Sequence, residues 1–236
     1  MLNSNIYSLD MDLKPCTGCF TCIKKGGNLC SLKDDRTKIE DIIMGADGVI
    51  LASLVYVMQV TGLTKVFIDR MAYKCHRPTY FNKKTIAIST TGGIGLKETL
   101  NYLELVAGSW GLDMVHKLGI TTPPWPVSSK FHDENDEKIQ HAAEKFYKSL
   151  DSNKPSNTSL YISFKIFKEL LQRLREYLPA DYEFYKKREN YYYNTKIGVF
   201  KKISVYFMLK IVLFMIRDVF MQNKEVQGHI SEDLNS

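Results

Sequence analysis

Four of the chain's five cysteines, Cys16, Cys19, Cys22 and Cys30, fall within fifteen residues. No other feature restricts the fold as much. Thiolates are ligands of iron–sulfur clusters and of zinc, and such sites need several of them converging on one point. Two-residue intervals let neighbouring thiolates turn toward a common centre, and Cys16, Cys19 and Cys22 are three such positions in series. Gly18 permits the backbone angles of a tight loop, and Gly26-Gly27 are expected to give a looser return to Cys30. Asp34-Asp35 follow. Three readings stand side by side: a cluster or metal site, redox-active or disulfide thiols, and small buried residues, since free cysteine is often buried.

Composition narrows the class. The chain has 236 residues, 44% hydrophobic and 25% charged, which suits a globular protein with a sizeable core. A net charge of +6 fits anionic cofactors or a weak membrane preference and does not point to nucleic acid. Residues 1–13 lack the basic segment and apolar run of a signal peptide. One tight group of cysteines is not the framework of a secreted disulfide protein. A reducing cytoplasm is the expected compartment.

Along the chain, Asn5–Leu9 reads as a short strand. Arg36–Ile43 has helical spacing at Ile39, Ile42 and Ile43, ended by Asp47-Gly48. Val49–Val57 is nearly all apolar, as in a strand buried on both faces of a parallel sheet. Thr61–Tyr73 reads as a helix with Leu63, Val66, Phe67 and Met71 inward and Lys65, Asp69 and Arg70 outward. Lys84–Ser89 is a strand. Leu96–Trp110 is a helix capped by Gly111. Met114–Ile120 is a strand, and Trp125 in the stiff loop after it either covers a cofactor or, the leading reading, caps the core. Asp133–Leu150 is a surface helix with Ile139, Ala142, Ala143, Phe146 and Leu150 inward.

Strands alternating with helices indicate an α/β protein with a parallel sheet. Ligands bind such sheets where loops leave the carboxyl ends of strands. Two stretches hold that position: Ser53-Leu54-Val55-Tyr56 and Thr90-Thr91-Gly92-Gly93. They read either as a site for a flat-ring cofactor or as two ordinary turns.

The run from Lys14 to Cys22, with Cys30 and Asp34-Asp35, resembles the flavodoxin-like NAD(P)H-dependent FMN reductases, especially the iron–sulfur flavoprotein branch. Ala46-Asp47-Gly48-Val49-Ile50 leading into Ser53–Tyr56, and Gly62-Leu63-Thr64-Lys65 leading into Phe67-Ile68-Asp69-Arg70, extend the resemblance in register over Ile6 to Ile120. It implies a flavodoxin-like three-layer sandwich. It places FMN against Ser53, Leu54, Val55, Tyr56, Thr90, Thr91, Gly92 and Gly93. It implies electron transfer from NAD(P)H through FMN to a small-molecule or protein acceptor, with a [4Fe-4S] cluster at Cys16, Cys19, Cys22 and Cys30. No side-chain acid or base is required.

Two departures from the family pattern stand out. Leu54 replaces a usual proline, which loosens that stretch. The chain also begins at what resembles the family's second strand, without the Gly-Ser-Pro-Arg type loop that binds the FMN phosphate at a helix N-terminus. The expectation is a truncated reading frame in which FMN does not stay bound through gel filtration.

The sequence divides into a flavodoxin-like FMN-binding domain, 1–151, and a helical extension, 152–236, which holds fifteen of the twenty-eight aromatic residues. Tyr161–Leu178 reads as a helix stopped by Pro179, with Phe164, Phe167, Leu171 and Leu174 in one stripe. Tyr182, Phe184, Tyr185 and Tyr191-Tyr192-Tyr193 form an aromatic connection of wall residues. Relatives with a comparable Asp-Tyr and Tyr-rich tail imply packing near the active site or a partner subunit. Residues 197–221 form an apolar helix with Lys202, Lys210 and Arg217 as its polar stripe. It packs on its own domain or a second copy, giving a homo-oligomer, or lies at a membrane surface; it is short for a membrane span. Cys75-His76 reads as structural. The leading function is an FMN-dependent oxidoreductase. The alternative is a non-catalytic binding module with a zinc or redox-thiol site at the cysteines.

Overall fold

The structure is a computed structural model of the chain, and it describes residues 11–152 and 158–215. The strand expected at Asn5–Leu9 lies outside them. Among the described residues four strands form one sheet in the order β2-β1-β3-β4: β1 (Gly48–Tyr56), β2 (Gln59–Val60), β3 (Lys84–Thr91) and β4 (Asp113–Thr121). β1, β3 and β4 run parallel, and β2 is a short antiparallel return from the tip of β1.

The helices are α1 (Thr21–Lys24), α2 (Arg36–Gly45), α3 (Gly62–Arg70), α4 (Leu96–Trp110), α5 (Ser129–Ser149), α6 (Thr158–Arg173), α7 (Pro179–Lys186) and α8 (Val199–Met215). Local chemistry sets several boundaries. Thr61 and Ser128 cap α3 and α5 by accepting from the backbone N–H of Thr64 and Phe131, a preferred role for short hydroxyl side chains. Gly111 ends α4 at φ 93° and donates to the carbonyls of Ala107 and Gly108, as the sequence predicts.

Successive side chains of β3 point to opposite faces. Ala87 joins a core with Ile68, Met71, Leu103 and Trp110, where the Phe67 ring meets Trp110 edge-on at 5.5 Å. Ile86 joins Leu118, Ile120 and Ala142 under α5, with Phe146 packed against them. Helices on both faces of a mostly parallel sheet make the flavodoxin-like three-layer α/β architecture expected from the sequence.

Burial corrects several details. β1 is not buried on both faces: Ile50, Leu54 and Tyr56 are exposed on one of them, because α5 covers that face over β3 and β4. Among the described residues β1 pairs fully with β3 along Gly48–Leu54, and with β2 only at Val55 and Tyr56. Leu63 is 65% exposed and Ile139 and Ala143 are exposed, so none belongs to its predicted inward stripe. Trp125 is 63% exposed and does not cap the core. Arg70 is buried rather than outward, for a reason given by its partners below.

The chain divides into two compact units: Met1–Lys154 with Tyr177–Asp181, and Pro155–Glu176 with Tyr182–Ser236. Within the second, α6 packs on α8. Fully buried Phe164 is ringed by Tyr185, Tyr191 and Tyr192, with a 3.2 Å hydrogen bond between the Tyr185 and Tyr192 hydroxyls. α6 ends at Arg173, before Pro179, and that proline opens α7 instead, where its missing N–H costs no hydrogen bond. α8 presents Phe200, Ile203, Phe207 and Ile211 on an exposed stripe. Among the described residues no helix is long and apolar enough to cross a membrane.

Candidate functional site

Two groups of residues carry chemistry, and α3 connects them. Its N-terminal end touches the carboxyl edge of the sheet. Its last residue, Arg70, reaches the cysteine loop. A helix rises 1.5 Å per residue, so the nine residues of α3 separate the two groups by about 13 Å along its axis.

At the sheet edge, Ser53–Tyr56 and Thr90-Thr91 are strand ends rather than loops, side by side in register with Ser53 against Ser89 and Leu54 against Thr90. A two-residue hairpin keeps Leu54–Tyr56 extended: Tyr56 pairs with Gln59, leaving Val57 and Met58 as the turn, at φ 49° and 65°. Two-residue hairpins of that kind favour Asn-Gly because both central residues need positive φ. A β-branched valine there is strained.

Ser53 knots the edge together. Its Oγ accepts from the N–H of Thr61 at 3.0 Å and the hydroxyl of Thr64 at 3.2 Å, and its carbonyl accepts from Ser89 Oγ at 2.8 Å. Thr91 Oγ1 accepts from Gly93 N at 3.2 Å and donates to Ile94 O at 3.0 Å. Gly95 sits at φ 97°, and a Cβ there would lie 2.7 Å from Val55 Cγ1 and 3.0 Å from Met58 Cα. This glycine lets the hairpin and the turn after β3 close on each other. Leu54 and Tyr56 leave exposed side chains at this edge.

Gly92 and Gly93 differ from Gly95. Neither has a positive φ, and a Cβ on Gly93 would meet nothing within 4 Å. Neither backbone conformation nor packing inside the chain requires glycine there. Bare backbone facing open space at a sheet's carboxyl edge fits the close approach of a flat ring, so the residues present suit FMN.

The cysteine loop is closed at its base by Asp34-Asp35. Asp35 accepts from Asp12 N at 3.0 Å and donates its own N–H to Asp12 O at 2.8 Å, while Asp34 accepts from Lys14 N at 3.1 Å. Gly18 and Phe20 take positive φ, 68° and 56°. The return through Gly26-Gly27 is tight, not loose: a Cβ on Gly27 would lie 2.7 Å from the Tyr73 ring.

Three buried arginines hold this loop. Arg36 donates to Gly27 O at 2.7 Å and to Tyr73 Oη at 2.9 Å, and it pairs with Glu40. Arg70 donates to Cys30 Sγ at 3.0 Å and forks onto both oxygens of Asp34 at 2.8 and 2.9 Å. Arg77 donates to the carbonyls of Cys22 and Ile23 and pairs with Asp181. Asp181 also binds His76 Nδ1 at 2.7 Å. Cys75, next to that histidine, bonds Ser109 at 3.2 Å. Sequence reasoning missed Arg36, Arg77 and Asp181 and misplaced Arg70. Arg70, which continues the helical spacing of Leu63 and Phe67, is the one of the four with a local signal.

The thiols differ in character. Cys16 and Cys19 are exposed, and Cys22 and Cys30 are half-buried. Hydrogen bonds, chiefly from Thr21 and then Thr17, bring the Cys19 thiol down to about 7. Burial raises the Cys22 thiol, and the nearby sulfurs of Cys30, Cys16 and Cys19 raise it further, as like charges do. Burial acts upward on Cys30, but hydrogen bonds from Arg70 and the Leu32 backbone, with the charges of Arg70 and Arg36, together hold that thiol below its ordinary value.

Among the described residues no group of three or more His, Cys, Asp or Glu side chains is gathered closely enough to hold a metal ion. The donor set nevertheless suits a cluster. Gly18 N–H donates to Cys16 Sγ at 3.5 Å, Arg70 donates to Cys30 Sγ at 3.0 Å, and Arg70 Nε is buried with no partner. Hydrogen bonds to cluster sulfurs are a known means of tuning such centres.

A mostly parallel sheet with its candidate ring site at the carboxyl edge and a four-thiol loop at the far end of α3 defines a flavodoxin-like oxidoreductase. Residues 6–121 match the family described as NADPH-dependent FMN reductase. The chain is 34% identical over 181 residues to an iron–sulfur flavoprotein of Archaeoglobus fulgidus, covering 73% of this chain and 78% of that protein. It is 32% identical over 142 residues to an iron–sulfur flavoprotein of Clostridioides difficile, covering 59% of this chain and 60% of that one. The chain belongs to the NADPH-dependent FMN reductase family, in its iron–sulfur flavoprotein branch. Among solved structures it is loosely similar to an oxidoreductase from Corynebacterium diphtheriae, with a TM-score of 0.40 and 21% identity over 49% of this chain and 61% of the other.

Proposed function

We propose that the chain is a flavin-dependent oxidoreductase that takes electrons from NAD(P)H at the sheet edge and passes them through a cluster at Cys16, Cys19, Cys22 and Cys30 to an acceptor. Residues 1–151 carry both sites, and 152–236 form a helical extension. The observation that carries the reading is the bare backbone of Gly92-Gly93 just past the end of β3, whose Thr90 is in register with Leu54. Bound FMN supplies the hydride and electron chemistry in such enzymes. The chain's own task is to fix the ring: Ser53 and Thr91 lock the two strand ends, the glycines let the ring approach, and Leu54 and Tyr56 offer apolar side chains beside it. Free thiols at all five cysteines suit a reducing cytoplasm.

The test is a titration of the chain with FMN, followed by flavin fluorescence. Gly93→Val is expected to weaken binding at least tenfold with no change in melting temperature, since a Cβ there would meet no atom within 4 Å. Equal binding by both proteins would place the ring elsewhere. For the thiol loop, protein purified without air is expected to carry iron and sulfide; colourless, metal-free protein overturns the cluster.

A further inference from the structure

The Arg77–Asp181 pair lies outside the thiols and the flavin edge, yet it acts on the cysteine loop. Arg77 satisfies two carbonyls in α1, those of Cys22 and Ile23. This helix is one turn long and buries no residue of its own. At its ends Ile23 and Lys24 donate to Phe20 O, and Lys25 donates to Thr21 O. A four-residue helix is not stable by itself in water, so external contacts must hold it.

The arginine is buried, and its carboxylate partner comes from more than a hundred residues later in the chain. Asp181 is 0% exposed. It uses one oxygen for Arg77 and the other for His76, which leaves the guanidinium's other donors aimed at α1. An arginine fork positioned by a carboxylate loses less freedom on binding than a mobile one. The segment Tyr177–Asp181 belongs to the same compact unit as the cysteine loop, although the residues just before it, through Glu176, do not.

We infer that Asp181 is a positioning residue for the thiol site: it latches Arg77 against α1 and so fixes the direction of Cys22, whose carbonyl Arg77 holds. The inference goes beyond the proposed function by assigning a role at residues 16–30 to a side chain of the C-terminal part. It rests on that reading only for what the latched thiol goes on to bind.

The experiment is hydrogen exchange by mass spectrometry on the full metal-free chain and on its Asp181→Asn, Arg77→Lys and doubly substituted forms. Loss of a charge-assisted hydrogen bond to a buried group corresponds to about tenfold in local opening. The amides of Ile23, Lys24 and Lys25 are expected to exchange about tenfold faster in each single variant, with those of β3 unchanged. The double variant should be no faster than the faster single one, because the two residues act as one unit. Alkylation of Cys22 by iodoacetamide should accelerate in step.

Equal acceleration in α1 and β3 would make Asp181 a general stability residue and overturn the inference, as would no acceleration at all. Additive effects in the double variant would overturn it too. Anaerobic reconstitution with iron and sulfide separates the two ideas. A wild-type chain that takes up no iron defeats the cluster reading, while the exchange data still decide the latch.

Discussion

The two ends of α3 are built on different physics. At its C-terminal end the cysteine loop is tied down by buried charge: Arg36, Arg70 and Arg77, with Glu40, Asp34 and Asp181 as partners. At its N-terminal end the sheet edge is held by neutral hydroxyls and by the shape of one glycine, with a strained hairpin leaning on it. Buried ion pairs are costly to assemble and costlier to break singly. A loop held by them is fixed before any ligand arrives. An edge held by hydroxyls and a tight turn keeps open surface at Leu54, Tyr56 and Gly93. One end is preset and the other is receptive.

This contrast can be broken most forcefully at Arg70. Its side chain and that of Asp34 are 2% and 1% exposed, so Arg70→Ala leaves a carboxylate buried without its counter-ion. The expected loss is about 3–5 kcal/mol in urea unfolding. A loss below about 1 kcal/mol would mean that water enters and the pair is not structural. At the other end, Gly95→Ala meets a forbidden φ and a backbone atom 3.0 Å away. It should cost about 1–3 kcal/mol while leaving the alkylation rates of Cys16, Cys19, Cys22 and Cys30 unchanged. Altered rates would show that the two ends are coupled through α3. The smallest effect is a gain. Val57→Asn with Met58→Gly gives the hairpin the residues its angles require, and thermal unfolding should show about 1 kcal/mol of stabilisation. A loss would assign the valine and methionine a packing role that outweighs the strain.

The parts of the fold visible in the sequence were those governed by local rules. The period of α4 and its Gly111 cap, and the apolar runs of β1, β3 and β4, depend on residues close in the chain. The errors came where a distant partner decides. Arg70 looks like an outward residue of α3 until Asp34 and Cys30, 36 and 40 positions earlier, are placed beside it. Leu63 fits an inward stripe by spacing, yet it lies in the first turn of α3 and is 65% exposed. Val49–Val57 reads as doubly buried because an apolar run does not reveal how far α5 extends across the sheet. At the thiol loop spacing alone singled out the four cysteines. Their arginine clamps were not, since nothing local links Arg77 to Cys22 or Asp181 to either. At the sheet edge the positions were legible and their conformation was not: a two-residue turn without glycine or asparagine gives no hairpin signal.

The placement of the two tryptophans has a practical consequence for optical work. Trp110 is packed in the sheet core against Phe67, and Trp125 is exposed after β4. Both lie in the first compact unit, and the second, for all its tyrosines, has none. Emission excited at the red edge, where tyrosine does not absorb, therefore reports the sheet unit alone, with one quencher-shielded and one quencher-accessible indole. The tyrosine cluster around Phe164 has to be followed by a separate signal, near-ultraviolet dichroism. A mismatch between the two melting curves would reveal two units that unfold at different temperatures.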